Sequence, residues 1–379
     1  MFRSFIRLTL GLGMLALTSG AGAQVDLLKL PAQPSVLATR SLLLDVQRVG
    51  QSLYAVGEFG QVLHSADNGK SWQAGKVPVS VTLTAVAFES PTEGYAVGHD
   101  GVVLHTTDSG LTWTKVLDGA SINEFAAKAL QERADRLQAE LDALGPRDEA
   151  RKKTLEQIVD DASFAADSAK ADIKVGPSKP LLDVKTLGQA GSVMVAGAYG
   201  QLLRSQDHGK TWEYLGTRID NPNGYHLNTL MVADNGDVWV AGEQGGAFVS
   251  HDKGSTWESR KIDYKGSIFA LTENPATHSV LAFGLRGHAF KLGAAQSDWQ
   301  PIETGLKETL SAATVMKDGT IVVAGARGVL MKSSDDFATF QVTRRADKLP
   351  SGGIVQLADG QVLLTGLGGF KSLSLSEFK

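Results

Sequence analysis

The chain has 379 residues, among them 42 Gly, 11 Pro and no Cys, with 37 basic and 41 acidic side chains. Gly at about 11%, against a usual ~7%, beside few prolines and 42% hydrophobic residues, excludes a disordered or collagen-like chain. Zero Cys excludes disulfides, thiolate nucleophiles, Cys-based zinc sites and a lipidated N-terminal Cys, and a net charge of −4 gives no reason to expect nucleic acid.

Residues 1–23 read as a cleaved signal peptide. Arg3 and Arg7 precede an apolar run from Leu8 to Leu17, and Ala21-Gly22-Ala23 supplies a small-residue cleavage site. The run is too short to span a bilayer, which takes ~20 residues. The expectation is a periplasmic chain with no membrane insertion after cleavage. Loss of the two arginines leaves 35 basic and 41 acidic residues, a charge of −6. Residues 24–34 are expected to be a linker and 35–379 one domain.

That domain is a repeat. A β-rich phrase ending in Gly recurs seven times, from Tyr54-Ala55-Val56-Gly57 and Tyr95-Ala96-Val97-Gly98 to Leu363-Leu364-Thr365-Gly366. Its glycines (57, 98, 197, 242, 284, 325 and 366) are 41, 99, 45, 42, 41 and 41 residues apart. Each is followed three residues later by another Gly, a hairpin-turn signature. No helix follows these turns, so they are not nucleotide loops. Each unit reads as four strands; in the second these are 83–88, 94–98, 102–106 and 113–117. A four-strand period of ~40 residues is that of a propeller blade. The fold class is therefore all-β, a seven-bladed β-propeller. The seventh unit lacks a clear fourth strand near Phe378, and residues 35–40 are expected to supply it and close the ring.

A second signature, Ser/Thr-x-Asp-x-Gly-x-Thr/Ser-Trp, lies between the third and fourth strands. It holds Asp67, Asp108, Asp207 and Asp252, with a decayed copy at Ser333, Asp335, Phe337, Thr339 and Phe340. The carboxylate accepts from nearby N–H groups, Gly takes the left-handed position and Trp packs between sheets. These aspartates read as structural, and the expectation is no catalytic residue.

Between Trp113 and Leu181 the chain is longer than a repeat allows by about 58 residues, and its periodicity becomes helical. Residues 122–144 and 148–170 read as helices flanking Gly145-Pro146. Their seams are Ala127, Leu130, Ala134, Leu137, Leu141 and Leu144, answered by Leu155, Ile158, Ala162, Ala165 and Ala169. An inserted antiparallel α-helical hairpin over 121–174 is expected, each helix roughly 35 Å long.

The two signatures together resemble the Asp-box (BNR) repeat families, over residues ~35–375 outside the insertion. They look most like the photosystem II stability/assembly factor-like branch, in a secreted bacterial form. The resemblance implies a non-enzymatic seven-bladed propeller that assists assembly of a membrane-protein complex. The sialidase branch is the alternative; it needs an arginine triad, a Tyr–Glu pair and an Asp acid. Its Arg-Ile-Pro phrase is absent here, and Tyr54 and Tyr95 share one strand position and read as packing residues.

Asp45 and Asp183 share a Leu-Leu-Asp-Val phrase on innermost strands and read as solvated channel residues. They stand two blades apart, whereas a glycosidase pair needs ~5–10 Å. His64 and His105 share a position filled elsewhere by Arg204, Val249, Lys291 and Lys332, which reads as outward and polar. No metal or cofactor is expected.

The connection from blade two to blade three lies on the face that carries the Gly-x-x-Gly turns, opposite the Asp-boxes. The hairpin and the turn tips therefore share a face. Aromatic and Arg tips are types enriched in binding hot spots, which singles out Phe59, Tyr199, Arg286 and Arg327 as partner-binding residues. The function expected is a scaffold or assembly factor that binds a protein client and supports an envelope membrane-protein complex, of which a transporter is one kind. A sialidase-like glycoside hydrolase and a glycan-binding lectin are the alternatives.

Overall fold

The structure, a computed structural model, describes residues 25–145 and 149–377; the expected signal peptide, Pro146, Asp148 and Phe378 lie outside the described residues. Seven antiparallel sheets form in chain order, six with four strands and the seventh with three. We number them as blades one to seven, beginning at Leu43, Leu83, Leu181, Leu227, Ile268, Leu310 and Ser351. The innermost strands pack side by side in a closed ring, with blade seven returning to blade one.

The recurring Tyr-Ala-Val-Gly phrase is the second strand of its blade. Gly94–Gly98 is buried at every position, because a neighbouring blade covers each face of the sheet. That is why the phrase is apolar throughout instead of alternating. Every inner strand carries a bulge just after its first residue. Three of the bulged residues use the displaced position to reach the next blade. Thr84 Oγ1 donates to Leu181 O at 2.7 Å, Asn228 Nδ2 to Ile268 O at 3.0 Å, and Ser311 Oγ to Ser351 O at 2.7 Å.

The core is divided among the seams. Each of the seven blade–blade interfaces holds its own hydrophobic cluster. The Asp-box tryptophans Trp72, Trp113, Trp212 and Trp257 each pack between their own blade and the preceding one. In every box the Asp accepts from the backbone and the hydroxyl four residues on; for Asp67 these are Ser71 N at 2.8 Å and Ser71 Oγ at 2.6 Å. The decayed box keeps the same bonds around Asp335, although Phe337, at φ +60°, stands in the left-handed place of the Gly. Its ring goes into the core, 5.4 Å from Phe283, and that burial offsets the backbone cost.

The expected closing strand does not form. Residues 35–40 make a turn ending in a 3-10 segment at Ala38–Arg40, with Ser35 Oγ accepting from Leu37 N. One backbone bond, Phe370 N to Thr39 O at 3.4 Å, ties the segment to blade seven, and side chains fill the seam: Trp72 of blade one stacks on Phe370 of blade seven, and Ala38 and Leu43 join Leu357 and Leu363. The segment expected as a linker is docked too. Leu28 enters the seam between blades one and two, and Ala32 N donates to Val77 O.

The insertion is a helical hairpin, α1 over Gly119–Asp142 and α2 over Glu149–Val175. Asp118 caps α1 by accepting from Ser121 N. The first seam stands as expected through Leu137. The second is shifted: Val159 and Ala166 are buried with Leu155, Ala162 and Ala169, whereas Ile158 is exposed. Ala134 against Ala162 and Ala166 lets the helices approach closely. Among the described residues no helix is long and apolar enough to cross a membrane.

Candidate protein-binding face

The Gly-x-x-Gly turns are built by crowding at one end and by backbone conformation at the other. The first Gly is extended, but a Cβ there would lie 2.0 Å from Leu42 O at Gly57 and 1.9 Å from His226 O at Gly242. The last Gly lies in the left-handed region, at φ +70° for Gly60. The residue before it is left-handed as well, although it carries a side chain: Phe59, Asp100, Tyr199, Gln244, Arg286 and Arg327 all have φ between 54° and 57°. Each such residue costs about 1 kcal/mol or more. The geometry turns the third side chain of each tip outward, leaving Phe59 66% and Tyr199 59% exposed.

The four predicted binding residues thus occupy equivalent tip positions on blades one, three, five and six. The ring distributes them around one face and does not gather them into one pocket. Around Tyr199 the structure assembles more than the sequence reading contained. Lys179, in the return from α2, places Nζ 5.4 Å from the Tyr199 ring centroid and 2.5 Å from Asp172 Oδ2. Tyr199 meets His226 edge-on at 5.0 Å, and His226 lies 3.3 Å from Glu243. A line of contacts therefore runs from the root of α2 across blade three to blade four. Beside it lies a cavity of about 200 Å³ lined by Asp220, Tyr225, His226, Glu243, Gln244 and Lys261. Lys179 and His226 were missed because they lie on connections outside the repeat. Their one sequence-level signal is that such connections share the face of the turns.

The hairpin is anchored in the propeller. Ile122 is fully buried in the cluster between blades two and three, with Phe125 packed against it. Asn123, itself buried, donates through Nδ2 to Asp172 O at 3.0 Å and Gly176 O at 3.1 Å, tying the start of α1 to the end of α2. Gly101 leaves no room for a Cβ, which would meet Gly119 Cα at 2.6 Å.

The central channel, about 470 Å³, holds Asp45, Asp183 and Lys185. The aspartates, expected to be solvated, are instead engaged. Asp45 accepts from Val46 N at 2.8 Å and from Val86 N of blade two at 3.0 Å. Asp183 accepts from Val184 N at 2.8 Å, Lys185 Nζ at 2.6 Å and Leu230 N of blade four at 2.7 Å. Burial pushes the Asp45 carboxyl up, with Lys185 and the amide donors opposing. Burial would lower the Lys185 ammonium, but the two carboxylates more than offset it and hold it raised. Both aspartates act as staples between neighbouring inner strands. Nor are His64 and His105 simply outward: both are half-buried and stack at 4.8 Å on the buried rings of Tyr54 and Tyr95.

A family model described as photosynthesis system II assembly factor YCF48 matches residues 29–123. No curated protein matches the chain. Among solved structures, "YCF48 bound to D1 peptide" is 17% identical with a TM-score of 0.59, covering 88% of this chain and 92% of that one. YCF48 from Cyanidioschyzon merolae is 14% identical at a TM-score of 0.58, covering 90% and 98%. The fold is shared with enzymes: an ancestral GH74 enzyme is 12% identical at a TM-score of 0.63, covering 92% of this chain and 46% of its own. With the seven blades and their repeated turns, these matches show the β-propeller fold, and over residues 29–123 the chain is similar to the YCF48 assembly-factor family.

Proposed function

We propose that this chain is a non-catalytic, periplasmic assembly factor that binds a protein client on its turn-bearing face, beside the helical hairpin, and supports a membrane-protein complex of the cell envelope. The observation that carries the reading is the Lys179–Tyr199–His226–Glu243 line, which joins the anchored hairpin to the tips of blades three and four. A rigid scaffold displaying aromatic and charged loop residues is the arrangement recognition sites favour. The solved relative bound to a D1 peptide supports a polypeptide as the ligand class. A transporter is one client of the right kind.

The channel supports the non-catalytic reading. Asp45 and Asp183 spend their oxygens on backbone amides and Lys185, so neither is poised as an acid or nucleophile. The test is capture from envelope extracts with the mature chain, read by mass spectrometry. Tyr199→Ala combined with Lys179→Ala should cut recovery of the client at least tenfold while the propeller stays folded. Equal recovery overturns the assignment of the face. Turnover of any glycan by the purified chain overturns the non-catalytic reading, and saturable glycan binding without turnover replaces it with a lectin.

A further inference from the structure

On the opposite face, at the seam between blades two and three, we propose that Glu93, His105 and His208 form a binding site for one zinc-class divalent cation. Glu93 ends the first hairpin of blade two, His105 lies on its third strand, and His208 belongs to the Asp-box of blade three. One oxygen, Glu93 Oε1, lies 2.8 Å from His105 Nε2 and 2.5 Å from His208 Nδ1. The three donor atoms all fall within 4.8 Å of one another, and all three residues are half-buried. Two imidazole nitrogens and a carboxylate converging from three chain segments are the donor set that zinc takes, at ~2.0–2.2 Å per bond. Both rings can turn a lone pair to the ion by carrying their proton on the other nitrogen.

An independent observation points to the same spot. The Tyr95 hydroxyl is fully buried and has no hydrogen-bond partner among the described residues, while its ring stacks on His105. Its counterpart in blade one, Tyr54, donates to Pro91 O at 2.8 Å. A buried hydroxyl without a partner costs ~1–3 kcal/mol, and a water on the ion would supply one.

The repeat gives an internal comparison. At the seam between blades five and six the same three positions hold Ser279, Lys291 and Asp336. Asp336 accepts from Ser279 Oγ at 2.5 Å and lies 3.5 Å from Lys291 Nζ. That trio is an ordinary ion pair with a hydroxyl. At the seam between blades two and three the lysine and the box acid are both replaced by imidazoles, and the hydroxyl by a carboxylate. Gly191 faces the His208 ring so closely that a Cβ would lie 2.6 Å away, whereas the φ of His208, +63°, is the one its counterparts Asn68 and Ser109 share. Gly191 N also donates to Glu89 Oε2 at 2.9 Å, holding a second carboxylate alongside. An ion here would clamp the two blades whose chain connection is interrupted by the hairpin.

The test is calorimetric titration of Zn²⁺ into the metal-stripped mature chain, with Co²⁺ absorption as a second readout. One ion per chain is expected, with a thermal midpoint that rises on loading. Glu93→Gln, His105→Gln and His208→Asn should each weaken binding at least tenfold and abolish the visible Co²⁺ bands. His208→Asn is the variant that protects against misfolding, because blade one carries Asn68 at the same left-handed position. His278→Ala separates this site from the exposed grouping of Asp234, Glu273 and His278. No saturable binding, wild-type affinity in His208→Asn, or loss of binding in His278→Ala alone would each overturn the proposal.

Discussion

Trp72 and Phe370 stack with ring centroids 3.9 Å apart and planes 13° from parallel, across the seam where the first and last blades meet. No shared strand spans that seam, so the pair and its neighbours Leu357 and Leu363 hold the ring shut together with the packing of the two inner strands. Phe370→Ala should lower stability by about 2 kcal/mol, less than a fully buried Phe because the ring is half-exposed. Urea unfolding checks this, and proteolysis should begin near the two termini. An unchanged midpoint would mean that inner-strand packing alone closes the ring.

Asp183→Ala should cost about 3 kcal/mol, since it strands the buried Leu230 N–H and leaves Lys185 facing Asp45 alone. Thermal unfolding reads the loss. Client capture per folded molecule should not change, because the residue sits in the channel and away from the turn tips.

The Asp-boxes make the fold acid-sensitive in a defined window. Hydroxyl and amide donors, led by Ser71, Thr211 and Thr256, hold the carboxyls of Asp67, Asp207 and Asp252 at about 2, below an ordinary value of 3.8. A depressed carboxyl contributes stability that is complete above the unfolded value and lost as pH falls through the folded one. Urea midpoints should therefore drop between pH 4 and pH 2. The triple variant Asp67→Asn, Asp207→Asn and Asp252→Asn should be weaker at pH 7 and decline less steeply.

Asn123→Ala should loosen the hairpin at its root. Two carbonyls, Asp172 O and Gly176 O, lose their donor, at about 1–3 kcal/mol of local stability. Faster amide exchange confined to α1 and α2 is the expected result, with the blade strands unaffected. Ile122→Ala should instead destabilise the seam between blades two and three by about 2–5 kcal/mol, because that side chain is core. A deletion meant to test the hairpin must accordingly spare Ile122 and Asn123.

Most of the fold was legible because repetition amplifies weak signals. The second blade's strands fall within one residue of their expected limits, since glycine turns bound them on one side and the Asp-box on the other. The closing strand was misjudged because strand pairing at a seam depends on where two distant termini lie, and the turn formed by Ser35 and Ala38 is a local preference that wins. The α2 seam slipped by one residue, from Ile158 to Val159, because both alternatives satisfy a helical period and only contact with α1 selects between them. The shared tip position of Phe59, Tyr199, Arg286 and Arg327 was legible in the turn motif. Lys179, His226 and the Glu93–His105–His208 grouping were not, since their members come from different blades.

The sequence by itself determined the number of blades, the two faces and the inserted hairpin, because each follows from local turn chemistry and periodicity repeated at a fixed interval. Only the tertiary structure decided which side chains meet across the seams: Asp45 with Val86, Asp183 with Leu230, Tyr199 with His226, and Glu93 with two histidines. A repeat specifies each blade from within. What forms between blades depends on the exact rotation of one sheet against the next, which is set by side-chain packing in seven separate clusters.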